Sequence, residues 1–217
     1  MSDRPGCVHL LRHGPVAGAP ALYGRTDVAL APEAQTLLAP LFAQASPYDQ
    51  IISSPRTRCL QSAQALAGHW QVPLTVRPEW AELDFGDLDG RPFSELTEQW
   101  PLLEAFWQAP ARHTLPGAEP LVHFHARVLA TWQSLLAELG EQRVLVVTHG
   151  GVIRQLVGQL LAADWRSGAL QQGLHLPYAS LTRIWCWAGE PPVCQIRQLA
   201  ASPAQLLWQE EAAWRLM

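Results

Sequence analysis

Lysine occurs nowhere in the 217 residues; all 15 basic side chains are arginine. The base composition of the gene suffices to explain that absence, yet it has a chemical consequence. Any anion site on this chain is built from arginine and histidine, and the arginine fork matches carboxylate or phosphate oxygens two at a time. Close cysteine pairs are missing too. Cys7, Cys59, Cys186 and Cys194 form no CxxC, so four free, mostly buried thiols in a reducing compartment are expected. No apolar run approaches the roughly 18 residues of a membrane span, and the apolar stretch behind the N-terminus is too short for a signal peptide. The expected location is cytoplasmic, with no membrane partner. A strong excess of one charge is also lacking: the formal net charge is −4. No global field draws in nucleic acid, and none is expected as a partner. Internal repeats and low-complexity tracts are absent.

What is present is a globular composition, 48% hydrophobic and 16% charged, on a length that suits one α/β domain over residues 1–217. The runs at 7–11, 48–54, 73–78 and 142–150 read as strands, the last being the clearest. The spacing predicts helices over 56–70, 120–139 and 151–163, with Gly68 suited to the C-terminus of the first. Segments 180–189 and 193–199 alternate as in a hairpin. The tail from Ser202, with Pro203 behind it, reads as a capped amphipathic helix. Alternating strands and helices imply a three-layer αβα fold with a mostly parallel central sheet. Residues 87–119, which hold several prolines, Trp100 and Trp107, break the pattern and are expected to form a helical excursion over one face.

Two strands end in the same way, Leu11-Arg12-His13-Gly14 and Thr148-His149-Gly150-Gly151. Ligands of open α/β sheets bind beyond the carboxyl ends of the strands. If these two are neighbours, His13 and His149 meet at one rim. Gly14, Gly150 and Gly151 then leave backbone amides open to a ligand, and the helix beginning near 151 adds its positive end. The strand ending in "SSPRTRC" brings Arg56 and Arg58 to the same edge. Two histidines, paired arginines and a helix N-terminus describe a pocket for a dianion such as phosphate. No HExxH, CxxC or carboxylate cluster accompanies the histidines, so no metal is expected. "HFH" at 123–125 sits on a helix, where positions i and i+2 diverge, and reads as surface or packing.

The chain resembles the histidine phosphatases of the phosphoglycerate mutase-like superfamily. The motifs that carry the resemblance are "LLRHG" (10–14), "YGRTDVAL" (23–30), "ISSPRTRCLQSAQAL" (52–66), "AELDFGDLDG" (81–90), "LPGAEP" (115–120) and "VVTHGGVIR" (146–154). They stand in family order over about residues 7–160, and two of them are most similar to the α-ribazole phosphatase branch. Pro15-Val16 replaces the Glu-Thr that often follows RHG, and Pro120 replaces a small hydroxyl residue.

The resemblance implies that His13 is a nucleophile that becomes a phosphohistidine. Its other ring N–H is expected to be held by a backbone carbonyl. Arg12, Arg58 and His149 would clamp the nonbridging oxygens, and Glu82 would be the acid and base. If residues 81–86 are extended, Asp84 points to the same side as Glu82, so spacing alone does not separate the two. Gly14, Tyr23, Gly24, Arg25, Thr26 and Gly150 would border the substrate; a surface ion pair is the other reading of Arg25. The tryptophans at 100 and 107 would stack on a ring or pack in the core. No cofactor is implied. The implied partner is a small phosphorylated substrate, with a homodimer left open. The implied activity is phosphomonoester hydrolysis, α-ribazole phosphate being one candidate substrate. A phosphoglycerate mutase and a non-catalytic phospho-ligand binder are the alternatives.

Overall fold

The computed structural model describes residues 4–43 and 45–205. Its centre is a six-stranded sheet made of β1 (Gly6–Arg12), β2 (Gln50–Ser53), β3 (Leu74–Val76), β4 (Arg143–Thr148), β5 (Leu181–Trp187) and β6 (Val193–Ala201). The spatial order is β3-β2-β4-β1-β5-β6. The first four strands in that order are parallel; β5 pairs antiparallel to β1, and β6 pairs antiparallel to β5 in the expected hairpin. β1 and β4 are direct neighbours, with Arg12 opposite Thr148.

Both faces of the parallel strands are apolar, which is why they read as unbroken hydrophobic runs. Val8, Leu10, Ile52, Val144 and Val146 face one core, completed by α4 (Leu121–Leu139) and α5 (Gly150–Leu160). Leu11, Ile51, Leu145 and Val147 face the other, completed by α1 (Glu33–Phe42) and α2 (Thr57–Trp70). The three-layer arrangement follows from this alternation.

Residues 87–119 contain a 3₁₀ turn at Phe93–Glu95 and α3 (Trp100–Gln108), which packs near α6 (Gly168–Gly173). Phe93, Trp100 and Trp107 meet edge to face at 5.6–6.2 Å. The four cysteines are free, and Cys186 and Cys194 face each other across the hairpin with sulfurs 3.1 Å apart.

The helix over 56–70 ends as the spacing predicts, beyond Gly68. It runs to Trp70, and Gln71 takes the left-handed conformation (φ 56°) with its N–H on the Ala67 carbonyl. The C-cap therefore sits three residues later, on a residue that tolerates the conformation at a cost. At the other end of the chain, Ser202 Oγ accepts from the Ala204 N–H and a 3₁₀ turn follows at Pro203–Gln205. The rest of the expected tail helix lies outside the described residues.

Candidate active site

The carboxyl ends of β1, β2 and β4 converge. The His13 N–H donates to the Thr148 carbonyl at 3.0 Å, and the Ser54 N–H to the Val147 carbonyl at 3.0 Å. These ties lock the three strand ends in register. As a result the His13 and His149 rings lie edge to face, 5.2 Å between centroids.

Each ring is held in a set orientation. His13 Nδ1 is 2.7 Å from the Gly14 carbonyl oxygen. Only a protonated Nδ1 can bond there, so Nε2 carries the lone pair. His149 Nε2 is 2.7 Å from Ser54 Oγ. Neither ring is a cation. Burial, with Arg58 and then Arg12 nearby, pushes His13 down to about 3 against the opposing pull of the Gly14 carbonyl. Burial, then His13 and the arginines, hold His149 well below the usual histidine range. The positive charge of the site is carried by guanidinium groups.

Arg58 is wholly buried. Its two terminal nitrogens donate to the Thr26 (3.0 Å), Tyr23 (2.7 Å) and Gly24 (3.1 Å) carbonyls. It therefore ties loop 23–26 to α2. Arg12 donates to the Leu176 carbonyl and lies 4.1 Å above the Tyr178 ring. Among the described residues, the buried Nε atoms of Arg12, Arg56 and Arg58 have no hydrogen-bond partner. The charges of Arg12 and Arg58 act on His13 and that of Arg56 on His149, so three guanidinium groups surround the two neutral imidazoles, a setting that suits an anion.

The structure separates the two carboxylates that spacing left equivalent. Glu82 Oε2 accepts the Gly151 N–H at 2.9 Å, at the first turn of α5. Its charge acts on both Arg12 and Arg58. Asp84 instead turns away, accepts the Gly86 N–H at 2.8 Å, and lies 3.7 Å from Arg25. Arg25 also donates to the Gly86 carbonyl at 3.0 Å.

At two of these glycines the packing of protein groups also leaves no room for a side chain. A Cβ on Gly14 would stand 2.6 Å from Ala34 Cβ, and one on Gly151 would stand 2.1 Å from Glu82 Oε1. Gly150 opens α5 beside Arg12 and Arg154, behind His149 as N-cap.

The model of the histidine phosphatase superfamily (branch 1) matches residues 8–197. The chain belongs to the histidine phosphatase superfamily. It is 29% identical over 162 residues to the adenosylcobalamin/alpha-ribazole phosphatase of Salmonella typhimurium, covering 70% of this chain and 78% of that protein. It is 29% identical over 185 residues to the probable phosphoglycerate mutase GpmB of Yersinia pestis, covering 82% and 83%. Bacillus stearothermophilus YhfR shares its fold, with a TM-score of 0.83 at 22% identity over 92% of this chain and 99% of that one.

Residues outside the predicted set also shape the site. Asp89 accepts the N–H groups of Gly24, Arg25, Thr26 and Phe85 at 2.9–3.1 Å. Burial pushes its carboxyl upward, but these donors, Thr26 foremost, outweigh that and hold it below the usual range. Arg127 of α4 grips Glu119 with two bonds (3.1 and 2.8 Å) and donates to the Glu79 and Ala81 carbonyls. It thereby fixes the segment that presents Glu82. Arg154 and Tyr178 stand beside Arg12. An aspartate before glycine in "DLDG" is the one local signal for the loop anchor; Arg127 pairs with Glu119 eight residues away, and its backbone acceptors lie 46 and 48 residues off. His125 is buried and stacked on Trp165, while His123 is exposed, so "HFH" splits between core and surface as expected.

Proposed function

We propose that this protein is a phosphomonoesterase acting through a phosphohistidine on His13. The observation that carries the reading is a neutral imidazole with Nε2 free, set among guanidinium groups. His13 Nε2 attacks phosphorus, and the ester P–O bond breaks with its electron pair going to the alcohol oxygen. Glu82 supplies the proton that oxygen needs. Water then attacks the phosphohistidine, loses its proton to the Glu82 carboxylate, and returns His13 with inorganic phosphate. Arg12, Arg58 and His149 hold the nonbridging oxygens, where negative charge is spread in the transition state.

The loop 23–26, with Tyr23, Gly24, Arg25 and Thr26, and the amides at Gly14 and Gly150 border the substrate in this reading. The substrate is a small phosphate ester, with α-ribazole phosphate in cobalamin biosynthesis as the specific candidate. Similarity to an adenosylcobalamin/alpha-ribazole phosphatase supports that candidate. The reaction belongs in the cytoplasm, a compartment that the four free thiols suit. No helix among the described residues is long and apolar enough to cross a membrane.

The test is release of inorganic phosphate from nucleotides, sugar phosphates and α-ribazole phosphate, compared as kcat/KM. Highest turnover of α-ribazole phosphate supports the specific candidate. Phosphate transfer between phosphoglycerates instead of release identifies a mutase, and no turnover of any ester overturns the hydrolase reading.

A further inference from the structure

A cleft of about 230 Å³ opens beside the phosphate site and shares Glu82 and Gly151 with it. Its other walls are mostly apolar, with Leu22, Phe85, Phe106 and Trp107 among them. That volume is below the roughly 300–1,000 Å³ of drug-sized sites, so it suits one compact ring system.

Two glutamines also line this cleft, and their amide groups are oddly placed for an apolar wall. Gln155 is wholly buried. Its Oε1 lies 2.8 Å from His125 Nδ1. The His125 ring is stacked on Trp165, 3.7 Å between centroids and 10° from parallel. With Oε1 facing the ring, Nδ1 carries the proton and donates to it, and Nε2 points the other way. Among the described residues, the buried Nε2 of Gln155 then meets no acceptor, and neither does Nε2 of Gln171. Buried N–H donors are nearly always satisfied in folded chains, and unsatisfied ones at a cleft mark where a ligand acceptor belongs.

Resting on the phosphatase reading, we propose that this cleft seats the alcohol half of the ester. Gln155, helped by Gln171, selects alcohols that are flat and largely apolar and that carry an uncharged acceptor, a ring nitrogen or a carbonyl oxygen. An uncharged acceptor fits because the one cation in the lining, Arg154, is offset by Glu82 in the same lining. Arg154 Nε is also committed to the Leu174 carbonyl at 3.1 Å. A second carboxylate on the substrate would enter apolar surroundings beside Glu82. An alcohol without an acceptor leaves these buried amide donors unsatisfied. A site built to bond a polar atom rejects the analogue lacking it more strongly than a greasy pocket rejects a missing methylene.

The test uses the intact protein and matched esters: benzyl phosphate and the three positional isomers of pyridylmethyl phosphate, at a pH where the pyridine is neutral. The expected result is that kcat/KM for the best pyridylmethyl isomer exceeds that for benzyl phosphate by about tenfold. In Gln155→Leu the ratio falls toward one. A ratio near one in the unaltered protein, or a high ratio that survives the substitution, overturns the proposal. Should Gln155→Leu fail to fold, because His125 loses its acceptor, Gln171→Leu is read in the same way. Inhibition by inorganic phosphate checks that the site is assembled. Failure of the phosphatase reading looks different: no ester, nitrophenyl phosphate included, releases phosphate.

Discussion

Gly151→Ala tests the link between Glu82 and catalysis without touching any group that does chemistry. The added Cβ would lie 2.1 Å from Glu82 Oε1 and 2.9 Å from its Cδ. Carbon–oxygen contacts settle at about 3.3–3.6 Å, so the carboxylate must withdraw by roughly 1 Å. It also loses its 2.9 Å bond to the Gly151 N–H. A displacement of that size at a proton-transfer group costs on the order of 10²-fold, or about 2.7 kcal/mol of barrier. Fold stability changes far less. Alanine in a helix gains about 0.5–1 kcal/mol over glycine, against about 1.5–3 kcal/mol for the charged hydrogen bond. The net loss of about 1–2 kcal/mol corresponds to a fall in Tm of roughly 2–8 °C at this size. The assay compares kcat/KM for an alkyl phosphate, whose alkoxide needs the proton, with that for nitrophenyl phosphate, whose phenolate does not. kcat/KM reports the step up to loss of the alcohol, so the later attack of water does not enter. The alkyl ester is expected to lose about 100-fold and the nitrophenyl ester much less. Equal losses, or none, refute the assignment of Glu82 as the acid.

Three other outcomes follow from the same geometry. Arg58→Ala should lower kcat/KM by 10²–10³, the value of one transition-state donor at about 3–4 kcal/mol. It should also lower Tm, because the carbonyls of Tyr23, Gly24 and Thr26 lose their shared donor; an undiminished kcat/KM would remove Arg58 from the site. Asp89→Asn puts an amide where four N–H groups converge. A loss of about 2–3 kcal/mol is expected, read as a lower urea midpoint, and an unchanged midpoint contradicts the anchor role. Acid should weaken the fold well above the carboxylate range. His9 and His13 are held neutral down to about 3, whereas in the unfolded chain they protonate near 6.5. Below that pH the unfolded state binds protons the native state refuses, so stability falls as pH drops from about 6.5 toward 3. Between pH 7 and 5 the loss is about 2 kcal/mol for each. Urea midpoints that stay level over that interval would count against the neutral, buried histidines.

Much of this site was legible in sequence because it is made of strand ends. A buried parallel strand announces itself as an apolar run, and whatever follows it lies at the carboxyl edge. That is why three distant segments place His13, His149 and Arg58 at one edge. The packing at two glycines was not legible: Gly14 lies against Ala34 and Gly151 against Glu82, contacts that exist only after folding. Glu82 and Asp84 are equivalent by spacing and become different only when α5 offers its N-terminus to one of them. Likewise the C-cap at Gln71 overrides the preference for glycine because the helix packs to Trp70 before it ends. Arg127 and Gln155 lie on helix faces that local pattern marks only as partly buried. Their roles come largely from partners far along the chain, His125 for Gln155 and the Glu79 and Ala81 carbonyls for Arg127.

The central claim is the covalent intermediate, and rapid quench of the protein mixed with a radiolabelled phosphate ester tests it most directly. Label is expected on the protein within the first turnover, stable to base, labile to acid, and mapped to His13 by peptide mass; His13→Ala should carry none. Full turnover with no labelled protein at any quench time, or label retained in the His13→Ala protein, would contradict the account.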